Sequence, residues 1–551
     1  MKNQDNVNGY IRQAIVDCKE HSALTDFQGV TYQFGDVARK IAKLHILFER
    51  AGLKKGDKVA LCGRNSAQWA VGLLASLTYG TVAVPILHEF KPDNIHHLVA
   101  HSDARLLFTD EHTWENLDTA QMPELEGVVL LKDYSLLFSR NKKLTEAREK
   151  LNLLFGERYP ERFRPEMQTF HEPAADELAL INYTSGSTGF SKGVMLTYGN
   201  LWSNLQFCID GLTFLKPGDP MISMLPLAHM YGLMVELLHP FVKGCHIYFL
   251  TRTPSPKVIL GAFAEVKPKL IVAVPLILEK IVKTRIFPEL EKPVMKVLLH
   301  LPYIDEKVYA KVRGKMLAAF GGNLLEMIIG GAGLNKDVEA FLRRIRFPYT
   351  VGYGMTECGP LIAYAPWDIQ RPGACGKAVD RMAFRIESAD PEHTPGVLKV
   401  RGANVMKGYY KNEEATAQVM DGDGWMNTGD ICQCDPDGFL YIRGRDKNMI
   451  LGPSGQNIYP EEIEQQLNNL PYVGESVVVS RDGKLVGLVY PDMEAVSREH
   501  IGEEQLREIM NQNLKALNAT QPAYSQVSEL KIHHEEFEKT PKRSIKRYLY
   551  S

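Results

Sequence analysis

At 551 residues, 45% hydrophobic and 24% charged, the chain has the balance of a soluble globular enzyme and too much length for one core of ~100 to 200 residues. That excludes a disordered or coiled-coil chain. Lys plus Arg number 64 against 66 Asp plus Glu, so the net charge of -2 excludes a general attraction to nucleic acid or to an anionic membrane, and any polyanion must be bound locally.

The eight cysteines, at 18, 62, 208, 245, 358, 375, 432 and 434, form no CxxC pair and no zinc ladder; Cys432 and Cys434 lack further ligands nearby. They suit a reduced, cytoplasmic compartment, and the polar start Met1 to Gly9 has no secretory-signal core. From Leu53 to Phe108 short β-branched runs alternate with apolar-periodic helices. Strands are expected at Lys58 to Cys62, Thr81 to Ile86 and Arg105 to Phe108, with helices from Ala67 and around Asn94 to His101. The uncharged stretch Asn65 to Leu87 is long enough to cross a bilayer of ~30 Å, but Gly80 and Pro85 divide it into a buried helix and a strand. Leu144 to Lys150 reads as a solvated helix face.

The alternation returns with a strand at Pro220 to Leu225, a helix at Tyr231 to Val242, and strands at His246 to Leu250 and Leu270 to Val274. Such alternation predicts an α/β fold, with parallel sheets flanked by helices. Near Arg401 the text turns β-rich, with hairpin-grade turns at Asp421 to Gly424 and Asp435 to Gly438. A strand at Tyr441 to Gly444 precedes a helix at Pro460 to Asn468, strands at Ser476 to Ser480 and Leu485 to Tyr490, and a helix from Glu503 to Leu517. These make a small α+β lobe, and the boundary is expected at Asp446/Lys447, giving domains 1–446 and 447–551.

The strand Leu178 to Tyr183 runs into Thr184, Ser185, Gly186, Ser187, Thr188, Gly189, Phe190, Ser191, Lys192 and Gly193; from Val194, and most clearly from Tyr198 to Gln206, a helix is expected. Glycines admit phosphate oxygens close to the backbone amides, and five hydroxyls and one lysine add donors. The loop has the composition of a polyphosphate cradle. It is not a Walker A loop, because Ser191 stands where glycine must precede the lysine and Gly193 where Ser or Thr must follow.

YTSGSTGFSKGVMLTYGN, read from Tyr183, resembles the signature of the AMP-binding superfamily, which contains acyl-CoA synthetases, luciferases and peptide-synthetase adenylation domains. LPLAHMYG (Leu225 to Gly232), GGAGL (Gly330 to Leu334), GYGMTE (Gly352 to Glu357), NTGDI (Asn427 to Ile431), GRDKNMI (Gly444 to Ile450) and GQNIYPEEIE (Gly455 to Glu464) follow in the family's order. The resemblance implies a multi-subdomain adenylation body over 1–446 with a β-rich subdomain, and a mobile C-terminal lobe. It implies acid activation with ATP and Mg²⁺. Attack of a carboxylate on the α-phosphate gathers negative charge, so such a site needs cations, amide donors and metal more than a general base. Thr356 and Glu357 are oxygen donors of the kind Mg²⁺ takes. By resemblance they contact phosphate and metal, with Thr184 a further metal contact. Tyr353, followed by Gly354, would stack on adenine with the backbone of Gly331 and Ala332 at its edge. Asp430 would accept the ribose hydroxyls with Arg445 in support, His229 would lie where acyl and nucleotide sites meet, and Lys447 would be the hinge.

The family's C-terminal catalytic lysine aligns with Ser544. Three accounts stay open: Lys542 or Lys546 reaches the site, Arg543 supplies the charge, or the step runs without it. Lys542 is favoured, because in an extended run 542, 544 and 546 share a face. Ala273 to Ile281 and the chain length are similar to long-chain fatty acyl-CoA synthetases. The expected reaction joins a long-chain fatty acid to ATP, releasing pyrophosphate, and transfers the acyl group from AMP to CoA. A carrier-protein ligase, an aryl-acid CoA ligase and a catalytically weak nucleotide-binding relative are the alternatives. No nucleic-acid partner is expected. Contact with the inner face of a membrane, as a fatty-acid source, stays open without a visible anchor.

Overall fold

Local signals set the element ends. Ser66 accepts a hydrogen bond from the Trp69 amide and Gly80 takes φ +93°, so the helix Ala67–Tyr79 is capped at one end and stopped at the other. The strand Val82–Ile86 follows, buried throughout. Asn65 to Leu87 is thus a core helix and strand, and no helix among the described residues is long and apolar enough to cross a membrane. The computed structural model describes residues 6–184, 191–251, 256–451, 456–481, 483–540 and 545–550.

The chain divides by internal contacts into two units: 1–184, 191–383 and 401–424 form the first, and 384–400 and 425–551 lie in the second. In the first unit an eight-stranded sheet runs in the order Gly408–Tyr409, Lys192–Thr197, Leu178–Thr184, Val82–Ile86, Lys58–Cys62, Ala104–Thr109, Gly127–Leu130, Leu136–Ser139. Its five middle strands are parallel and its margins antiparallel. The parallel strands are joined through the helices Ala67–Tyr79 and Pro92–His101, as the alternating text predicts. A second, wholly parallel sheet holds Leu270–Ala273, Glu326–Ile329 and Tyr349–Val351. A third, ordered Pro220–Ser223, His246–Phe249, Ser22–Asp26, Thr31–Gln33, completes the large α/β layers.

Most of a four-stranded sheet belongs to the second unit: Met382–Glu387, Gly396–Gly402, Met426–Cys434 and Leu440–Arg445. The turn Asp435 to Gly438 joins its last two strands, as expected, whereas Asp421 to Gly424 connects the helix Glu413–Val419 to Met426–Cys434 and makes no hairpin. Beyond it the sheet Val473–Arg481, Lys484–Pro491, Val527–Ile532 carries the helices Pro460–Leu467 and Glu503–Thr520 over a core that includes Ile463, Leu467, Val489, Leu506 and Met510. By contacts, therefore, the β-rich segment groups with the C-terminal residues, and Lys447 lies inside the second unit.

One expectation fails at the phosphate loop. Residues 192–197 form a strand that pairs antiparallel with Leu178–Thr184, and the helix begins only at Tyr198, where Thr197 and Asn200 form a reciprocal cap. An apolar run as short as Val194 to Leu196 fits strand or helix equally well, and pairing with a buried neighbour decides it. The loop thus closes a hairpin and does not enter a helix N-terminus.

Candidate active site

The hairpin brings the two ends of the phosphate loop together. Thr184 and Lys192 are register partners, and the Thr184 hydroxyl lies 3.5 Å from the Lys192 carbonyl oxygen. Ser185, Gly186, Ser187, Thr188 and Gly189 lie outside the described residues. The short strand Gly408–Tyr409 extends the same sheet, Tyr409 pairing with Val194. There the Tyr409 ring lies beneath the Lys192 ammonium, 4.9 Å from its centroid, and the Tyr409 hydroxyl donates 3.0 Å to Glu357 Oε1. Burial, and then the Glu357 charge, push the Tyr409 phenol well above its ordinary pKa, so it remains a donor. A cation, an aromatic face, a phenol and a buried carboxylate are thereby joined in one chain of contacts.

Glu357 sits in the tight turn Thr356–Cys358, which starts from the strand Tyr353–Gly354 and ends at Gly359 with φ +59°. A Cβ at Gly354 would overlap the Pro360 carbonyl oxygen, so only glycine lets the chain fold back here. The Met406 amide donates to the Glu357 carbonyl at 2.8 Å, and Asn204 holds the turn from both sides: it donates to Cys358 O at 3.1 Å and accepts from the Leu361 amide at 2.9 Å. Tyr353 is buried. Gly331, at φ +88°, and Ala332 are exposed just beyond the strand Glu326–Ile329.

His229 is half-buried before the short helix Met230–Gly232, at the end of a segment whose backbone three side chains pin. Glu236 Oε2 accepts from the Met224 and Leu225 amides, each at 3.0 Å. Asn65 donates to Leu225 O at 2.6 Å and accepts from the Leu227 amide at 2.9 Å. Asn182, on the strand that enters the phosphate loop, donates to Ala228 O at 2.8 Å. Burial pushes the Glu236 carboxyl far above the usual carboxylate range, and its Oε1 has no partner among the described residues. Three residues on, burial drives His239 down to about 3, and neither ring nitrogen has a partner among the described residues. Both lie on one helical run, Met230 to Val242, which matches the expected helix except for a wider π-type turn at Leu233–Leu238.

In the second unit Asp430 and Arg445 are register partners, and Arg445 Nε lies 2.8 Å from Asp430 Oδ1. The carboxylate is buried and the guanidinium half-exposed, with a further bond from Arg445 to Thr428 O at 3.4 Å. Lys447 is exposed in the turn Asp446–Asn448. Lys546 is held by Glu538 at 3.0 Å, while Lys542, Arg543 and Ser544 lie outside the described residues.

Among the described residues no group of three or more His, Cys, Asp or Glu could hold a metal. One buried carboxylate with neighbouring hydroxyls fits Mg²⁺, which keeps waters and takes one or two carboxylates alongside substrate phosphates. Glu357, buried in the turn Thr356–Cys358, is a carboxylate of that kind. Sequence reasoning missed Tyr409, Asn182, Asn65 and Glu236. A lone Asn in the apolar LALINY and a lone Glu in LMVELL were the available signals; nothing local marks Tyr409.

Long chain acyl-CoA synthetase 7, peroxisomal, of Arabidopsis thaliana is 28% identical over 528 residues, covering 88% of this chain and 73% of its own. Long-chain-fatty-acid–CoA ligase FadD15 of Mycobacterium tuberculosis is 30% identical over 477 residues, covering 81% and 74%. Among solved structures, an anthranilate CoA ligase, AuaEII, in complex with anthranoyl-AMP shares the fold at a TM-score of 0.78 and 18% identity, over 100% of this chain and 97% of that one. The family described as "AMP-binding enzyme" matches residues 11–410, and that described as "AMP-binding enzyme C-terminal domain" matches 447–550. With these spans and the hairpin, turn and ion-pair geometry, the chain belongs to the AMP-binding enzyme family, whose members form adenylates.

Proposed function

We propose that the protein is a long-chain fatty acid:CoA ligase. The acid's carboxylate oxygen attacks the α-phosphorus of ATP, the bond to the β-phosphate breaks and pyrophosphate leaves. The CoA thiolate then attacks the acyl carbonyl and AMP leaves. ATP, Mg²⁺ and CoA are the cosubstrates and metal of this adenylate-forming chemistry. The observation that carries the reading is the contact chain Lys192, Tyr409, Glu357 at the mouth of the Gly/Ser/Thr loop, where phosphate charge would be met by a cation and a metal-binding carboxylate. The names of the relatives at 28–30% identity support the long acyl chain.

In this reading Lys192 and the loop, with Thr356, bind phosphate, and Thr184 and Glu357 hold the metal, which when bound neutralises phosphate charge. Tyr353, Gly354, Gly331 and Ala332 receive adenine, Asp430 and Arg445 the ribose, and His229 adjoins the acyl carboxylate. Lys447 is the hinge between the proposed domains 1–446 and 447–551, and Lys542 takes the place of the lysine lost at 544. The proposed setting is the cytoplasm, with fatty acid drawn from the inner face of a membrane.

Exchange of labelled pyrophosphate into ATP, run over acids from short chain to palmitate and with a cinnamate-type acid, tests this. Palmitate-dependent exchange is expected, falling ~10²- to 10³-fold in Lys192→Ala. Exchange with no acid at all would remove the enzymatic reading, and exchange with the aryl acid alone would remove the long chain. Consumption of free CoA, against acylation of a carrier protein, identifies the acceptor. Unchanged exchange in Lys542→Ala would remove that residue's role.

A further inference from the structure

Between the strand Pro220–Ser223 and the helix Met230–Gly232 the chain is neither strand nor helix, so side chains from elsewhere must place it. Glu236 and Asn65 bind its backbone at Met224, Leu225 and Leu227. Its end is tied to the main sheet by Asn182, whose Nδ2 donates 2.8 Å to the Ala228 carbonyl oxygen. Asn182 stands two residues before Thr184, on an inner strand of the eight-stranded sheet, as the register partner of Val194. One side chain thus runs from the strand that enters the phosphate loop to the residue beside His229. Ala228 also belongs to an apolar cluster with Ile181 and Tyr183, but such packing is non-directional, whereas a hydrogen bond fixes a separation.

Stability does not account for an asparagine here. Its side chain is fully buried, and Oδ1 has no partner among the described residues. An acceptor buried without a partner costs more than one hydrogen bond returns, so an apolar residue of the same shape would serve the core as well. Ala179, Leu180 and Ile181 on the same strand are all apolar. A leucine at 182 could not hold the Ala228 carbonyl at a set distance from the loop.

In acid activation two separate reactants must meet, a carboxylate beside His229 and an α-phosphate at the loop. A misplacement of about 1 Å between reacting groups lowers a rate on the order of 100-fold. Once the acyl–phosphate bond exists, that bond itself holds the two halves together, and the spacing of the protein segments matters less. We propose that Asn182 is a positioning residue for the adenylating half-reaction, setting through Ala228 the distance between the bound carboxylate and the α-phosphorus. This role rests on the ligase reading, in which His229 adjoins the acid.

The test compares the two half-reactions in the parent, Asn182→Leu and Asn182→Gln. Leucine matches the shape and removes the amide, so the maximal rate of palmitate-dependent pyrophosphate exchange should fall on the order of 100-fold. Glutamine keeps a donor on a longer arm and should restore part of the rate, to a loss of roughly tenfold. In both variants KM for ATP should stay within roughly threefold of the parent, as should formation of acyl-CoA from supplied palmitoyl-AMP and CoA. The melting temperature of Asn182→Leu should stay within about 3 °C of the parent. Equal losses in the two half-reactions, or a raised KM for ATP at an unchanged maximal rate, would mark a general disturbance of the fold and overturn the proposal. If Asn182→Leu does not fold, the ratio of half-reactions in Asn182→Gln decides in the same way. Parent exchange that the variants leave unchanged would remove this role alone, whereas no exchange in the parent with any acid would remove the ligase reading and this role with it.

Discussion

Replacing Tyr409 by Phe removes one oxygen and leaves the ring beneath Lys192 in place. The lost group donates at 3.0 Å to the buried carboxylate of Glu357, and a hydrogen bond to a charged acceptor contributes about 1.5 to 3 kcal/mol. If Glu357 is a metal contact, Tyr409 fixes which carboxylate oxygen is left to face the ion, and losing such a supporting partner costs roughly 10- to 100-fold in metal affinity. The expected phenotype is therefore a rise of about that size in the Mg²⁺ concentration giving half-maximal pyrophosphate exchange. The apparent affinity for ATP at saturating Mg²⁺ should change little. Tyr409→Ala also removes the face under Lys192, about 0.5 to 2 kcal/mol, and should weaken ATP as well. A Tyr409→Phe enzyme with the parent's Mg²⁺ response would refute the reasoning, because Glu357 would then not be presented to metal through this bond.

Gly354→Ala forces a Cβ into the Pro360 carbonyl, so the turn bearing Thr356 and Glu357 must shift; a loss of about 1 to 3 kcal/mol in chemical denaturation and near-complete loss of exchange are expected. Asp430→Asn keeps the shape but removes the charge that Arg445 meets, and should raise KM for ATP roughly tenfold with a smaller change in kcat, read by steady-state kinetics. His239 is buried with its pKa lowered to about 3, below the 6.5 of the unfolded chain, so its contribution to stability is complete above pH 6.5 and is lost as pH falls towards 3. The loss is at most about 5 kcal/mol, and His239→Leu should flatten the fall in melting temperature between pH 7 and pH 4, leaving the part due to His45 and His246, which burial holds at about 4. Glu236 has the opposite sign: its raised pKa gives stability that is full below the ordinary carboxylate range and declines as pH rises, so Glu236→Gln should gain on the parent from pH 5 to pH 8 in the same melting series.

Much of the fold was legible because the chain writes it locally. Gly80 and Pro85 mark the ends of a core helix and strand, and the alternation from Leu53 to Phe108 gives three of the five parallel strands their grammar. What was misread depends on partners distant in sequence. Val194 to Leu196 is a strand because Leu178–Thr184 lies beside it. The site divides in the same way. Lys192 and Glu357 stand in motifs that the sequence announces, but Tyr409, in an unremarked Gly-Tyr-Tyr, is 217 residues from the first and 52 from the second. Its two-residue strand closes the margin of the sheet against Val194, and the same side chain reaches the turn beneath GYGMTE. A shift of that edge strand would therefore move the cation and the carboxylate together, which makes the phosphate hairpin and the metal-binding turn one mechanical unit, although the sequence presents them as two separate motifs.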